Sequence, residues 1–207
     1  MEDILDLYAE TYNPRYPTVC FDEHPYQIVA ETRVPLPAEN GLPERYDYEY
    51  RRNGTCNMFI FFQPQAGWRH VKVTQRRTKQ DFAHCMKDLV DVHFPDVDRI
   101  RVVQDNLNTH TPGALYETFD PEEARRIVRK LEFRFTPKHG SWLNMAEIEI
   151  SVLQGQCLDR RLENLMTVSS EVAAWVQDRY FIQASVDWRF SISTARKRLH
   201  RLYPSSS

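Results

Sequence analysis

Thr18-Val19-Cys20-Phe21-Asp22-Glu23 and Ile100-Arg101-Val102-Val103-Gln104-Asp105-Asn106 decide the reading of the fold. Each is a short run rich in strand formers, and each ends in an acid. The second reads as a buried strand. In open α/β sheets, ligands bind at the carboxyl ends of the strands. Asp22 and Asp105 on adjacent parallel strands would therefore converge on one site. Aspartate and asparagine are also favoured turn formers after strands, so either acid alone has an ordinary explanation. Together they suit a hard divalent cation, which takes oxygen ligands from separated chain segments.

Working outward, residues 56–62 and 68–74 read as two strands, with Pro64-Gln65-Ala66-Gly67 as the turn of a hairpin. Residues 3–10 form a short helix that Pro14 and Pro17 prevent from continuing. Residues 33–55 contain Pro35, Pro37, Gly41, Pro43 and Gly54 and read as an exposed excursion, with 46–50 as a candidate edge segment. Thr78 is placed to cap a helix running to about Phe94, and Asp81 can complete a capping box. Further helices start at Thr111-Pro112 and at Pro121, the latter running to Leu131, followed by a strand over 132–136. Residues 142–158, 169–182 and 194–202 read as helices, the last one basic. This order predicts an α/β fold, a mixed five-stranded sheet with helices on its faces.

The 207 residues are enough for one domain that folds without disulfides or metal. Cys20, Cys56, Cys85 and Cys157 lie far apart with no C-x-x-C, which suggests neither a zinc site nor a disulfide framework. No run approaches the ~18 apolar residues of a membrane span, and the acidic start lacks a signal-peptide pattern. A cytoplasmic protein is expected. The net charge of −2 argues against an indiscriminate nucleic-acid binder. That total hides a division: net −8 over residues 1–50, +4 over 51–100, −1 over 101–150 and +3 over 151–207.

A third acid should come from a helix laid across the same sheet edge. Glu147 and Glu149 are the candidates, and at ~100° per residue they point about 200° apart. Pattern alone does not choose between them. A buried Glu149 would be costly unless paired or coordinated.

Phe21-Asp22-Glu23, the stretch from Gln104 to His110 and the stretch from Pro137 to Glu147 resemble the three acidic blocks of DDE transposases. The likeness is to the bacterial insertion-sequence branch of the mariner superfamily. Residues 46–51, 67–77, 157–161 and 187–203 also resemble that branch, so the likeness covers nearly the whole chain. It implies a ribonuclease-H-like fold, with an N-terminal linker helix at 1–17, a catalytic domain at 18–185 and a basic C-terminal helix and tail at 186–207. In the family's pattern the catalytic carboxylate follows an asparagine by three residues, here Asn144 to Glu147. The implied triad is Asp22, Asp105 and Glu147, separated by 83 and 42 residues. His24 stands where relatives commonly carry a small hydroxyl residue.

The resemblance also implies metal-dependent DNA cleavage at transposon ends and joining of those ends to a target. Three carboxylates can hold two Mg²⁺ ions, and Mn²⁺ should substitute. Double-stranded DNA would be the partner, namely terminal inverted repeats and a target of TA sites, handled by a homodimer. A bacterial setting would bring the protein to the nucleoid when it is bound to DNA. Asn106, Asn108, His110 and Asn144 are expected to orient the acids or contact phosphate, with solvent-exposed turn residues as an equal reading of those just after Asp105. Lys138, His139 and Trp142 could position DNA near the third acid, and Arg160, Arg161, Lys197 and Arg198 could contact phosphates. Trp142 at a helix start also fits a packing role. Two other readings stay open: a truncated fragment acting in assembly or regulation without cutting, and a ribonuclease-H-like nuclease on another nucleic acid. Family members normally carry an N-terminal helix-turn-helix region, and the chain is expected to start beyond it.

Overall fold

Strands β1 (Thr18–Glu31), β2 (Tyr50–Gln63), β3 (Trp68–Thr74), β4 (Ile100–Gln104) and β5 (Leu131–Phe135) form one sheet in the spatial order β3-β2-β1-β4-β5. The computed structural model describes every residue except Glu44, Tyr46 and 204–207. β1 pairs antiparallel with β2, and β2 with β3, while β1, β4 and β5 run parallel. This is the mixed five-stranded sheet expected from the order of elements. The β2–β3 hairpin closes through Gly67, whose φ of 64° favours glycine and whose Cβ would approach Ala184 O to 3.0 Å.

Helices cover both faces. On one lie α2 (Lys79–Asp88, continuing as a π-helical turn to His93), α3 (Pro112–Thr118) and α4 (Pro121–Lys130). They pack on Val19, Phe21, Phe59, Phe61, Ile100 and Val102. The other face carries α5 (Ala146–Leu153, continuing as a π-helical turn to Leu158) and α6 (Leu165–Phe181), packed on Met58 and Ile60. A third cluster joins Cys20, Phe62 and Val103 to α1 (Glu2–Ala9) and α7 (Ile192–Arg198). Strand alternation sends residues 19 and 21 to one layer and residue 20 to the other.

Local signals held where they were strong. Thr78 and Asp81 form the reciprocal capping box of α2. Pro112 and Pro121 sit in the first turn of their helices.

Three expectations need correction. β1 runs on to Glu31, well past the short run read from Thr18, and β2 starts at Tyr50, so 50–55, read as part of the excursion, forms a two-stranded arm with most of 23–31. Having only β2 beside it, this part of β1 tolerates Pro25 and shows no buried run to read. A register shift near Gly54 (φ 100°) adds to the irregularity. Of the candidate edge segment 46–50, Tyr46 lies outside the described residues and only Tyr50 belongs to a strand. Finally, 142–158 is not one helix. A 3₁₀ turn over Ser141–Leu143 gives way to extended backbone at Asn144, and α5 begins at Ala146.

One polar link crosses the second layer. Arg69 of β3 is fully buried, and its Nε donates to Glu149 Oε1 of α5 at 2.6 Å. Arg69 Nη2 donates to Ala184 O at 2.5 Å, and Arg179 of α6 adds a 3.3 Å bond to the same carboxylate oxygen. Removing one partner of such a pair strands a buried charge, at a cost of about 3–5 kcal/mol. Arg69→Met is expected to lower the thermal midpoint by about 6–20 °C. Arg69→Met/Glu149→Leu should recover much of the loss, because neither buried charge remains. Thermal unfolding followed by circular dichroism measures both; a single variant within a degree of the parent would contradict the assignment.

Candidate active site

The parallel register of β1 and β4 ends at Cys20 opposite Val103. Two residues further on, each strand presents its acid, Asp22 and Asp105. They leave the carboxyl end of the sheet side by side. Asp22 is on the same face of β1 as Cys20 and His24, toward α5. Its Oδ1 accepts from the Glu23 N–H at 2.8 Å and its Oδ2 from Asn144 Nδ2 at 3.1 Å.

Asn144 explains why the chain breaks its helix there. Its Nδ2 also donates to Phe21 O at 2.8 Å, and its Oδ1 accepts from the Ala146 N–H at 3.2 Å. The Glu147 N–H donates to Asn144 O at 3.1 Å. One buried side chain therefore ties β1 to the first turn of α5. Glu147 projects from that turn, while Glu149 points away to Arg69 and is buried. The choice that pattern left open is made by packing: Glu149 is the structural acid, and Glu147 faces Asp22.

Burial, reinforced by the carboxylates of Glu147 and Asp105, pushes the Asp22 carboxyl up to about 7. The three acids thus share one electrostatic neighbourhood, with Asp22 acting on by both others. Among the described residues, no three His, Cys, Asp or Glu side chains close into a tight metal cluster. The donor set is nonetheless all oxygen from separate segments, and a divalent cation supplies the countercharge that an acid raised to about 7 lacks.

Behind Asp105 lies His110, one of the residues expected to orient the acids; Glu23 and Arg77, which stand behind it, were not expected there. His110 is buried, stacked on Phe82 with ring centroids 5.0 Å apart and edge-on to Phe21 at 5.2 Å. Its Nδ1 lies 3.0 Å from Asp105 Oδ1, and since a carboxylate only accepts, Nδ1 carries the proton. Its Nε2 lies 3.5 Å from Glu23 Oε2, and Glu23 in turn receives Arg77 Nη1 at 2.9 Å. Burial works against a charged ring, but Asp105 and Glu23 outweigh it and shift His110 upward. Alternation along β1 was the available signal: Asp22 and Glu23 must face opposite layers.

The other residues singled out are spread around this end. Asn106, Asn108, Lys138 and His139 are exposed on the loops after β4 and β5, and His139 adopts a positive φ of 63°. Trp142 is 42% exposed and packs edge-on against Phe190 at 5.4 Å, so it serves packing and keeps an open face. Lys197 and Arg198 are exposed on α7. Arg160 pairs with Glu171, and Arg161 pairs with Glu31 and donates to Asp47 O at 2.7 Å. A phosphate at either arginine would compete with these partners.

Asp22→Asn tests the electrostatics without any assay of catalysis. A carboxyl raised in the folded state binds its proton more tightly than in the unfolded chain, so it costs stability as pH rises from about 4 through 7. At pH 8 and without metal, Asp22→Asn should raise the thermal midpoint by several degrees, corresponding to about 2 kcal/mol or more. At pH 4 the two proteins should melt together. A variant that melts lower than the parent at pH 8 would contradict this picture.

The family model of the DDE superfamily endonucleases matches residues 17–169. By sequence alone, no characterised protein matches the chain. Among solved structures, the Mos1 mariner paired-end complex with Mn is similar over 88% of this chain at 15% identity, with a TM-score of 0.58. The Mos1 strand transfer complex is similar over 88% at 15% identity, with a TM-score of 0.59. These matches cover 55% and 54% of the Mos1 chains, so this chain spans about half their length. At such identity the likeness is one of fold, and it is the ribonuclease-H-like fold of the Mos1 catalytic domain. Among the described residues, no helix is long and apolar enough to cross a membrane. With three quarters of its length matched by the family model, the chain belongs to the DDE superfamily of endonucleases.

Proposed function

We propose that this chain is the catalytic part of a transposase that cuts DNA at transposon ends and joins them to a target. The observation that carries the reading is the meeting of Asp22, Asp105 and Glu147 at the carboxyl ends of β1 and β4. They are the acids named by the family's blocks, and they come from three separate segments. Asp22, acting with both of the others, would hold two divalent cations jointly with Asp105 on one side and Glu147 on the other. Mg²⁺ suits the oxygen donors, with Mn²⁺ as the substitute. When bound, the ions supply Lewis acidity toward the attacking and leaving oxygens of a phosphodiester.

The remaining work falls to the chain itself. Asn144 keeps Asp22 and the start of α5 in a fixed relation, so the carboxylates need little rearrangement to share a cation. His110, braced by Glu23, orients the Asp105 carboxylate. Lys138, His139 and Trp142 would position the DNA backbone near Glu147. Lys197 and Arg198, with the more committed Arg160 and Arg161, would add phosphate contacts at a distance. Water would attack in the cleavage step and a DNA 3′-hydroxyl in the joining step. The partners in this reading are double-stranded transposon ends and TA-containing target DNA, brought together by a homodimer of the bacterial mariner-like type in the cytoplasm.

Nicking of a duplex carrying the element's ends, in Mn²⁺ or Mg²⁺, tests the proposal. Asp105→Asn and Glu147→Gln should each lower the rate by about a hundredfold or more, and Asn144→Ala and His110→Ala by about 10–100-fold. A rise of the thermal midpoint with Mn²⁺ is expected for the parent and not for Asp22→Asn. Equal nicking by Asp105→Asn would overturn the assignment of the acids.

A further inference from the structure

The free edge of β1 holds two hollows that the proposed chemistry does not use. β4 stops pairing with β1 at Cys20, and further along the Val29 N–H donates to Leu162 O at 3.2 Å. Beside this stretch lie a hollow of about 310 Å³ and a larger one of about 680 Å³, which share Tyr26, Leu158 and Asp159. Their shared lining sets them next to each other along one trench. Its near end is His24, two residues along the same strand face from Asp22 and within electrostatic reach of Glu147.

The near hollow is nucleotide-sized, and His24 and Gln154 stand in its lining. His24 Nε2 lies 3.0 Å from Gln154 Nε2, so the amide donates to the ring. Its wall includes Gly155 in the π-helical turn that extends α5, where an added Cβ would meet nothing within 4 Å. Such turns inside helices frequently mark functional sites. In the far hollow, Tyr48 and Tyr50 are exposed, with the Arg161 guanidinium 5.8 Å over the Tyr50 ring; Arg52 is exposed, and Arg160 is held by Glu171. Aromatic faces interleaved with arginines, opening from a phosphodiester site, are the chemistry that holds an unpaired nucleic-acid strand. Asp159 at the junction disfavours a phosphate at that point and can accept from a base amino group. Glu31, the other acid of the lining, is occupied by Arg161.

We propose that this trench is the path of one unpaired DNA strand leaving the acids, with a nucleotide in the near hollow and its neighbours stacked on the tyrosines of the far one. The proposal rests on the reading of Asp22, Asp105 and Glu147 as a phosphodiester site.

Fluorescence anisotropy with a short labelled oligo-dT and with the matching blunt duplex, both in EDTA, tests it without cleavage. Gly155→Leu fills the near hollow and should leave circular dichroism and the thermal midpoint unchanged. It should weaken oligo-dT binding by about tenfold or more while affecting the duplex little. Arg52→Ala, on an exposed strand position, should weaken oligo-dT binding in the same sense and serves even if the leucine disturbs folding. Unchanged oligo-dT affinity in Arg52→Ala and in a folded Gly155→Leu would overturn the path. Equal losses for oligo-dT and duplex would overturn its assignment to an unpaired strand. A parent protein that binds oligo-dT in this trench but fails to nick would refute the phosphodiester reading and leave the path standing. Parent-like anisotropy alongside intact nicking would do the reverse.

Discussion

The buried pair of Arg69 and Glu149 is the constraint on which the active end of the molecule depends. A guanidinium and a carboxylate, both removed from water, are retained only if their bonds are satisfied. Here Arg69 of β3 bonds Glu149 of α5 and the Ala184 carbonyl, and Arg179 of α6 adds to Glu149, with only Arg69 Nη1 left without a partner among the described residues. Because Glu149 has to face Arg69, the rotation of α5 about its axis is determined, and two residues earlier Glu147 has to point the other way. The pair contributes little as a source of net stability, since desolvation offsets most of the attraction. Its contribution is orientation.

β1 shows the same economy. Its alternation sends Asp22 toward α5, where Asn144 binds it, and Glu23 toward the opposite layer, where it braces His110 against Asp105. Two adjacent residues therefore support the acids from both sides of the sheet. The cost appears at Asp22, whose carboxyl is raised to about 7 by burial and by its two neighbours. A cation is the natural compensation for that arrangement. Beyond Asp22 the strand loses β4 as a neighbour, and the edge left behind is lined by the trench that starts at His24.

The readable parts of the chain were those governed by neighbours in sequence. The runs ending in Asp22 and Asp105, the hairpin through Gly67, and the cap made by Thr78 and Asp81 each depend on a few consecutive residues. The arm of β1 and β2 was missed because its strands are polar, interrupted by Pro25 and Gly54, and stabilised only by pairing with each other. The break at Asn144 was missed for a different reason. Residues 142–158 keep a helical pattern, but the Asn144 side chain takes the Ala146 N–H and two atoms of β1, bonds that exist only once the sheet has formed. Arg69, between Trp68 and His70 in an ordinary strand, gave no hint of burial.

By itself the sequence determined which residue types stand at the ends of the strands, where helices start and the order in which the elements follow. These depend on backbone preferences and on the period of apolar residues, which act over short spans. Only the tertiary structure paired Glu149 with Arg69, placed Glu23 behind His110, and brought the three acids into one electrostatic neighbourhood. Those outcomes depend on which distant side chains can satisfy a buried charge, and that is settled when the layers pack.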